Sequence, residues 1–323
     1  MFKVLRNFII GLLIGAVVFF LALPYIFFHE SPTEFYPRYI NAELRKTQDT
    51  RQLARFFDDR GLHLPILTYR QFAQVDEQGE PVEEGITVEQ FEEQMKTLKD
   101  IGCTFITPND LLYAINENKA LPSRAVLITF DDCSEEIYTE AFPILKKYEI
   151  NATVNVIGYY VKHRDNYNFP ILSWDELREM TDSGLITLQS ETYYSYVQKL
   201  NVDGTISHPF IHQRPKESWN AYYQRITKDL LKNNVLLMLK THQMPIAVAY
   251  PYGESNDATK QAMASMNLYM GFESGNNRCL NLVNWVDPYH LPRFEMNQNF
   301  KRMQDFVAFI NTANCQVKCN TLE

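Results

Sequence analysis

Two carboxylates stand side by side at Asp131 and Asp132, directly after the apolar run AVLITF at residues 125–130. Taking a charge out of water is costly unless a partner or a cation compensates it. Adjacent acids leaving a buried strand therefore point to a bound cation or to a base poised by its surroundings. The plain alternative is a surface turn in which an aspartate caps the next helix. The seven histidines are His29, His63, His163, His208, His212, His242 and His290. Only His208 and His212 have ligand-like spacing, and Pro209 between them argues against one regular helical face carrying both.

The elements that must position these groups alternate between strand and helix. LPILTY at 64–69, AVLITF at 125–130, ATVNVIG at 152–158, LITLQS at 185–190, IAVAYPYG at 246–253, LYMGFES at 268–274 and YHLPRFEM at 289–296 read as strands. Between them, VEQFEEQMKTLKDIG places Val88, Phe91, Met95 and Leu98 at helical spacing and closes on Gly102. Asn109 and Asp110 are cap candidates for the next helix, and SWDELREM is another capped start. Residues 201–218 read as an extended loop, followed by a helix over 219–240 and a last one near 301–311. Such alternation implies a parallel sheet or barrel, with functional groups collecting at the C-terminal ends of the strands. Asp131 and Asp132 sit where that rule points.

Composition narrows the possibilities. With 39 acidic against 31 basic residues the 323-residue chain carries a formal charge of −8. It has no basic surplus to neutralise nucleic-acid phosphates, and the overall charge argues against tight docking of the globular part on an anionic membrane. Residues 8–28 contain no charge and are long enough to span the ~30 Å hydrocarbon core. Lys3 and Arg6 precede them, which places the N-terminus in the cytoplasm and the remainder outside. A cleaved signal peptide would have a shorter apolar run ending in small residues, so a retained signal anchor is expected on the cell membrane. Three regions follow: a cytoplasmic tip and transmembrane anchor at 1–28, a helical stalk at 29–62, and a globular domain at 63–323. Cys103, Cys133, Cys279, Cys315 and Cys319 make an odd number. Outside the membrane Cys315 could pair with Cys319, or either with Cys279; equally, all five are reduced.

The motifs LPILTYR, ITFDD, PILKKYEINATVNVIG, LSWDELREM, LQSETYYSY, AYPYG and LPRFEMN occur in this order between residues 64 and 297. In that sequence the chain resembles the polysaccharide deacetylase (NodB-homology) family, in particular its branch acting on surface poly-N-acetylglucosamine-like polymers. The resemblance implies an α/β fold, a distorted (β/α) barrel, here preceded by one N-terminal transmembrane helix. It also implies a metal-dependent amide hydrolase whose general base would be Asp131 and whose metal, usually zinc, would be held by Asp132. The backbone N–H of Tyr252 would help hold the oxyanion, and Arg293 would orient the base.

Three histidine functions of that family are replaced. Glu191 stands at the first metal histidine, Ser195 or Tyr196 at the second, and Arg70 at the histidine expected to act as general acid; Cys133 replaces a glycine after the aspartates. Arg70 stays protonated and cannot readily serve as an acid, but it could neutralise the aspartates where the metal would otherwise sit. The resulting expectation is a catalytically impaired or metal-free family member that binds a cell-surface polysaccharide or a partner of its machinery. An active deacetylase with a rearranged divalent-metal site around Asp132 and Glu191 is the alternative, and a structural envelope protein a third.

Overall fold

The computed structural model describes residues 63–73, 75, 85–196, 199–200, 206–274, 280–281 and 286–296. The expected anchor, the stalk, the last helix, His29, Cys279, Cys315 and Cys319 lie outside the described residues. Among those described, no helix is long and apolar enough to cross a membrane.

In chain order the elements are β1 (His63–Leu64), β2 (Ile66–Tyr69), α1 (Val88–Asp100), β3 (Thr104–Phe105), α2 (Pro108–Asn116), β4 (Ala125–Phe130), α3 (Phe142–Tyr148) and β5 (Ala152–Val156). Then come α4 (Gly158–Lys162), α5 (Trp174–Asp182), β6 (Ile186–Ser190), β7 (Lys199–Leu200), β8 (Ile206–Ser207), α6 (Trp219–Thr241) and β9 (Ala247–Ala249). The described chain finishes with α7 (Asp257–Ala264), β10 (Met270–Phe272), β11 (Leu280–Asn281) and β12 (Phe294–Glu295). The main sheet runs β10-β9-β6-β5-β4-β2-β12, with β3 added beside β4, and every pairing in it is parallel. Leu291, just before β12, bridges to Phe272 on β10, so the two ends of the sheet approach each other. The result is a half-barrel of parallel strands with helices outside, an open version of the expected distorted (β/α) barrel.

Strand parity sorts the side chains into two apolar layers. Val126, Ile128 and Phe130 on β4 join Phe91, Met95, Phe142, Leu145, Leu177 and Met180 of the outer helices in one cluster. Ala125 and Leu127, one residue out of phase, join Ile66, Ala247, Ala249, Met270, Phe272 and Leu291 in the barrel interior. Successive strand residues point to opposite faces, so the inner phase continues through Thr129 to Asp131. The same count carries β2 through Thr68 to Arg70, β5 through Thr153 to Asn155, and β6 through Gln189 to Glu191. Threonine hydroxyls floor this polar end: Thr68 and Thr129 share a 2.6 Å hydrogen bond, and Thr153 and Thr187 one of 2.9 Å.

Several local expectations shift. α2 is capped by Thr107, with Asp110 completing the capping box from inside the first turn, so Asn109 is not the cap. Ser173 caps α5 in the same reciprocal way with Glu176. The helix before β5 opens with a π-helical turn over Ile137–Ala141. Pro143 lies at the start of α3 and has no N–H to donate, which favours such a break in the regular ladder. The loop expected over 201–218 contains β8, antiparallel to β7, and then a turn from His208. The two-residue strand β3 has too short an apolar pattern to be seen in the sequence.

Candidate active site

The floor of the site is an ion pair between two side chains each only 1 % exposed. Arg293 donates from Nη1 to Asp131 Oδ1 at 2.9 Å and from Nη2 to Asp131 Oδ2 at 2.8 Å. Its Nε donates to the Glu273 carbonyl at 2.7 Å, fixing the plane of the fork. Asn155 adds a 2.7 Å bond to Asp131 Oδ1. Burial alone would push the Asp131 carboxyl upward, but the guanidinium groups of Arg293 and Arg70 and these hydrogen bonds hold it below the ordinary carboxylate range. Asp131 is therefore a charged, orientated carboxylate at the end of β4, and Arg293 is the residue that orients it.

Asp132 turns the other way. It adopts φ 68°, and Cys133 follows at φ 59°, a conformation that non-glycine residues rarely adopt. This turn lifts the Asp132 carboxylate onto the cleft, where Arg70 Nη1 donates to its Oδ2 at 3.0 Å. Arg70 Nη2 reaches Ser274 Oγ and Glu295 Oε1, both at 3.2 Å, and lies 3.6 Å from Asp131 Oδ2. Burial lowers the proton affinity of Arg70, but the surrounding carboxylates of Asp131, Asp132 and Glu191 raise it above its ordinary value. Cys133 is fully buried, with its Sγ accepting from the Ile157 N–H at 3.1 Å.

Glu191 is 1 % exposed and accepts from the Asp132 N–H at 3.1 Å. Burial, followed by the charges of Asp131 and Asp132, pushes its carboxyl well above the usual range, with Arg70 and that N–H only partly opposing. With the Glu191 carboxyl pushed toward its neutral form, the carboxylates of Asp131, Asp132 and Glu295 share the two guanidinium groups of Arg70 and Arg293.

The two candidates for the second histidine position separate here. Ser195 hydrogen-bonds to Asp229 on α6, which also accepts the N–H groups of Tyr193 at 2.9 Å and Tyr194 at 3.0 Å. Tyr196 lies against Asp132, whose charge, after burial, raises its phenol. Its ring stacks on Tyr252 with centroids 4.9 Å apart, and the Tyr252 hydroxyl donates to the Tyr196 carbonyl at 2.6 Å. Tyr252 itself holds φ 59° in the turn after β9. Asp229 thus anchors the loop that carries Glu191 and Tyr196. Asp229→Ala strips the acceptor from the Tyr193 and Tyr194 N–H groups and is expected to cost about 1–3 kcal/mol. Urea unfolding at neutral pH measures this, and Asp229→Asn, which keeps one acceptor, should lose less.

The residues present do not fit the zinc site of the family. Neither partner of Asp132 in this cluster is an imidazole, and a fixed cation, Arg70, already occupies its Oδ2. His208 and His212 form a turn of their own, the His212 Nδ1 accepting from the His208 N–H at 3.2 Å. The His208 ring stacks on Tyr252 with centroids 4.5 Å apart and its Nδ1 pairs with Glu254. His290 pairs with Glu273 at 2.5 Å. Among the described residues no group of three or more His, Cys, Asp or Glu is arranged to hold a metal ion.

A cleft of 330 Å³ opens over the cluster, lined by Thr68, Arg70, Gln71, Gly85, Asp132, Glu295 and Met296. Asn155, Asp229, Ser274 and Glu295 were not singled out by their residue types. Asn155 left a signal, a polar residue inside the buried strand ATVNV, on the inner phase. Ser274 and Glu295 became visible only once β10 and β12 were placed at opposite ends of the sheet.

Residues 118–271 match the polysaccharide deacetylase family. The poly-β-1,6-N-acetyl-D-glucosamine N-deacetylase of Staphylococcus aureus is 33 % identical over 187 residues, 58 % of this chain and 60 % of the relative. The Staphylococcus epidermidis protein of the same name is 29 % identical over 208 residues, 64 % of this chain and 66 % of the relative. The chain thus spans 60 % of the length of the first of these curated relatives. A de-N-acetylase structure from Aggregatibacter actinomycetemcomitans superposes with a TM-score of 0.66 at 21 % identity, covering 76 % of this chain and 99 % of that one. IcaB from Ammonifex degensii gives 0.60 at 22 % identity, covering 78 % and 98 %. The deacetylase PplD of Streptococcus pyogenes, solved with acetate, gives 0.62 at 25 % identity, covering 77 % and 99 %. With the parallel half-barrel and the aspartates at the end of β4, these matches identify a polysaccharide deacetylase domain within the chain.

Proposed function

We propose that the chain is a membrane-tethered, extracytoplasmic deacetylase homologue that binds an N-acetylhexosamine polymer without hydrolysing it. The observation that carries this reading is Arg70, whose guanidinium joins Asp132 at 3.0 Å and lies 3.6 Å from Asp131. It supplies in place the positive charge that a metal would bring, and it cannot give a proton to a leaving amine. Asp131 keeps the orientation of a general base, but no imidazole stands at positions 70, 191, 195 or 196 to hold a metal or to protonate the leaving group. The open cleft, and the Tyr196–Tyr252 stack beside Asp132, support retained binding, and they speak against a purely structural role. The names of the staphylococcal relatives suggest a β-1,6-linked N-acetylglucosamine polymer as the ligand. The uncharged run at 8–28 supports the tether, and the positive-inside rule the side.

The test is made on purified full-length chain. We expect no stoichiometric zinc, no acetate release from β-1,6-linked N-acetylglucosamine oligomers, and binding of those oligomers by calorimetry. Acetate release that is abolished by a chelator and restored by a divalent ion would overturn the reading. A second reading has its own support: Asp132 Oδ1 is buried with no hydrogen-bond partner, beside Glu191. An oxygen-liganded hard cation would satisfy it, and restoration of activity by Mn²⁺ or Mg²⁺ rather than zinc is the result that selects this reading.

A further inference from the structure

The exposed aliphatic side chains are not scattered. Leu231 is 50 % exposed, Val235 40 %, Met238 38 %, Leu239 64 % and Met244 59 %; apart from Val75, these are all the exposed large aliphatic side chains among the described residues. All lie on α6 or just beyond it. The buried side of α6 carries Tyr222, Ile226, Leu230, Asn233 and Leu237. Leu231, Val235 and Leu239 recur every four residues on the opposite side, with Met238 beside them, which makes a second apolar stripe facing away from the core. Lys228, Lys232 and Lys240 are exposed along the same helix. Asp229, its only acidic residue, is turned inward to the Tyr193 and Tyr194 N–H groups. A chain with formal charge −8 therefore gathers lysines beside an apolar face left exposed among the described residues.

We infer that the outward face of α6 lies against an anionic lipid surface. Apolar side chains rimmed by lysines complement acyl chains beneath negatively charged headgroups. Pairing with a second copy would bring two lysine-bearing faces together with no outward acidic side chain on α6 to offset them. Trp219, 52 % exposed at the start of the helix, is suited to the interfacial zone at one end of the stripe. The overall acidity that argued against such docking is an average, and α6 departs from it. A domain tethered at 8–28 and resting on α6 would hold its cleft at a fixed orientation to the bilayer. The inference is independent of whether the cleft binds a glycan.

The experiment places a reporter at the most exposed position of the stripe. Full-length Leu239→Trp is combined with vesicles of phosphatidylglycerol and phosphatidylcholine, with plain or brominated acyl chains. Emission is compared with that of the unaltered chain, which has three tryptophans. Loss of the added emission in brominated vesicles is expected. That loss should shrink when Lys228→Glu and Lys240→Glu are added, and in vesicles of phosphatidylcholine alone; Lys232 is left in place because its Nζ lies 3.7 Å from the Tyr193 ring. Equal emission in plain and brominated vesicles overturns the inference. So does cross-linking between copies through position 239, or quenching indifferent to lipid charge. Since Leu239 is on the surface, the substitution leaves the core intact, and circular dichroism verifies that the variant is folded.

Discussion

Arg293→Met is expected to destabilise the domain by about 3–5 kcal/mol at neutral pH, because it leaves Asp131 buried without its fork of donors. Arg70 at 3.6 Å and Asn155 at 2.7 Å remain, and neither replaces two charge-assisted bonds. The pH dependence gives the cause away. In the native chain the Asp131 carboxyl is held below its unfolded range by Arg293 and Arg70 against the upward push of burial. Its contribution is therefore present above the unfolded carboxylate pKa and is lost as pH falls through the lower folded value. Without Arg293, burial prevails and the sign reverses: stability is greatest below the unfolded pKa and falls as pH rises. Urea unfolding at pH 4 and pH 7 should show the variant losing most at pH 7. Adding Asp131→Leu to Arg293→Met should recover part of the loss, since removing both members of a buried pair is milder than removing one. A uniform loss at both pH values would mean that packing, not charge, is what Arg293 supplies.

Arg70→His, Glu191→His and Tyr196→His, made together, are expected to raise the zinc content to one ion per chain. Asp132 is then freed from Arg70 and gains imidazole partners, the donor set typical of zinc. The structure chooses position 196 over 195, since Ser195 is bound to Asp229 while Tyr196 lies against Asp132. The triple variant carrying Ser195→His in place of Tyr196→His should therefore bind zinc poorly. If acetate release appears, a restored general acid accounts for a factor of about 10²–10⁴ of the gain, so the double variant that keeps Arg70 should be slower by that order. Metal content by mass spectrometry and acetate release from β-1,6-linked oligomers are the measurements. Failure of the triple variant to take up zinc would show that Glu191 and Tyr196 do not stand where the metal histidines belong.

Much of this site was legible from strand phase. AVLITF and LITLQS are apolar runs ending on Asp131 and Glu191, and alternation alone places Arg70, Asp131, Asn155 and Glu191 on one face. The resemblance carried by the ordered motifs pairs Arg293 with Asp131, and the structure places the two side chains 2.8 Å apart. What sequence could not supply was long-range closure. Ser274 and Glu295 reach Arg70 only because β10 and β12 lie at opposite ends of a curled sheet. The choice between Ser195 and Tyr196 depended on Asp229, a residue on a helix begun some twenty positions later. Helix starts were misplaced by a residue or two at α2, where several polar residues compete for one cap. The positive strip on α6 was hidden because net charge has no direction.

Ser274 links parts of the site that are far apart in sequence. Its hydroxyl accepts from Arg70 at 3.2 Å and from Arg293 at 3.3 Å. Its backbone nitrogen lies 2.5 Å from where a Cβ on Gly253 would fall, and Gly253 holds φ 73°. A side chain at 253 would displace Ser274, and with it both guanidinium groups, without touching either aspartate. Substitutions in the Pro251–Gly253 turn are thus epistatic with position 70. The clash is with the backbone of Ser274 and holds whatever residue stands at 70, so position 253 governs both guanidinium groups through a single hydroxyl.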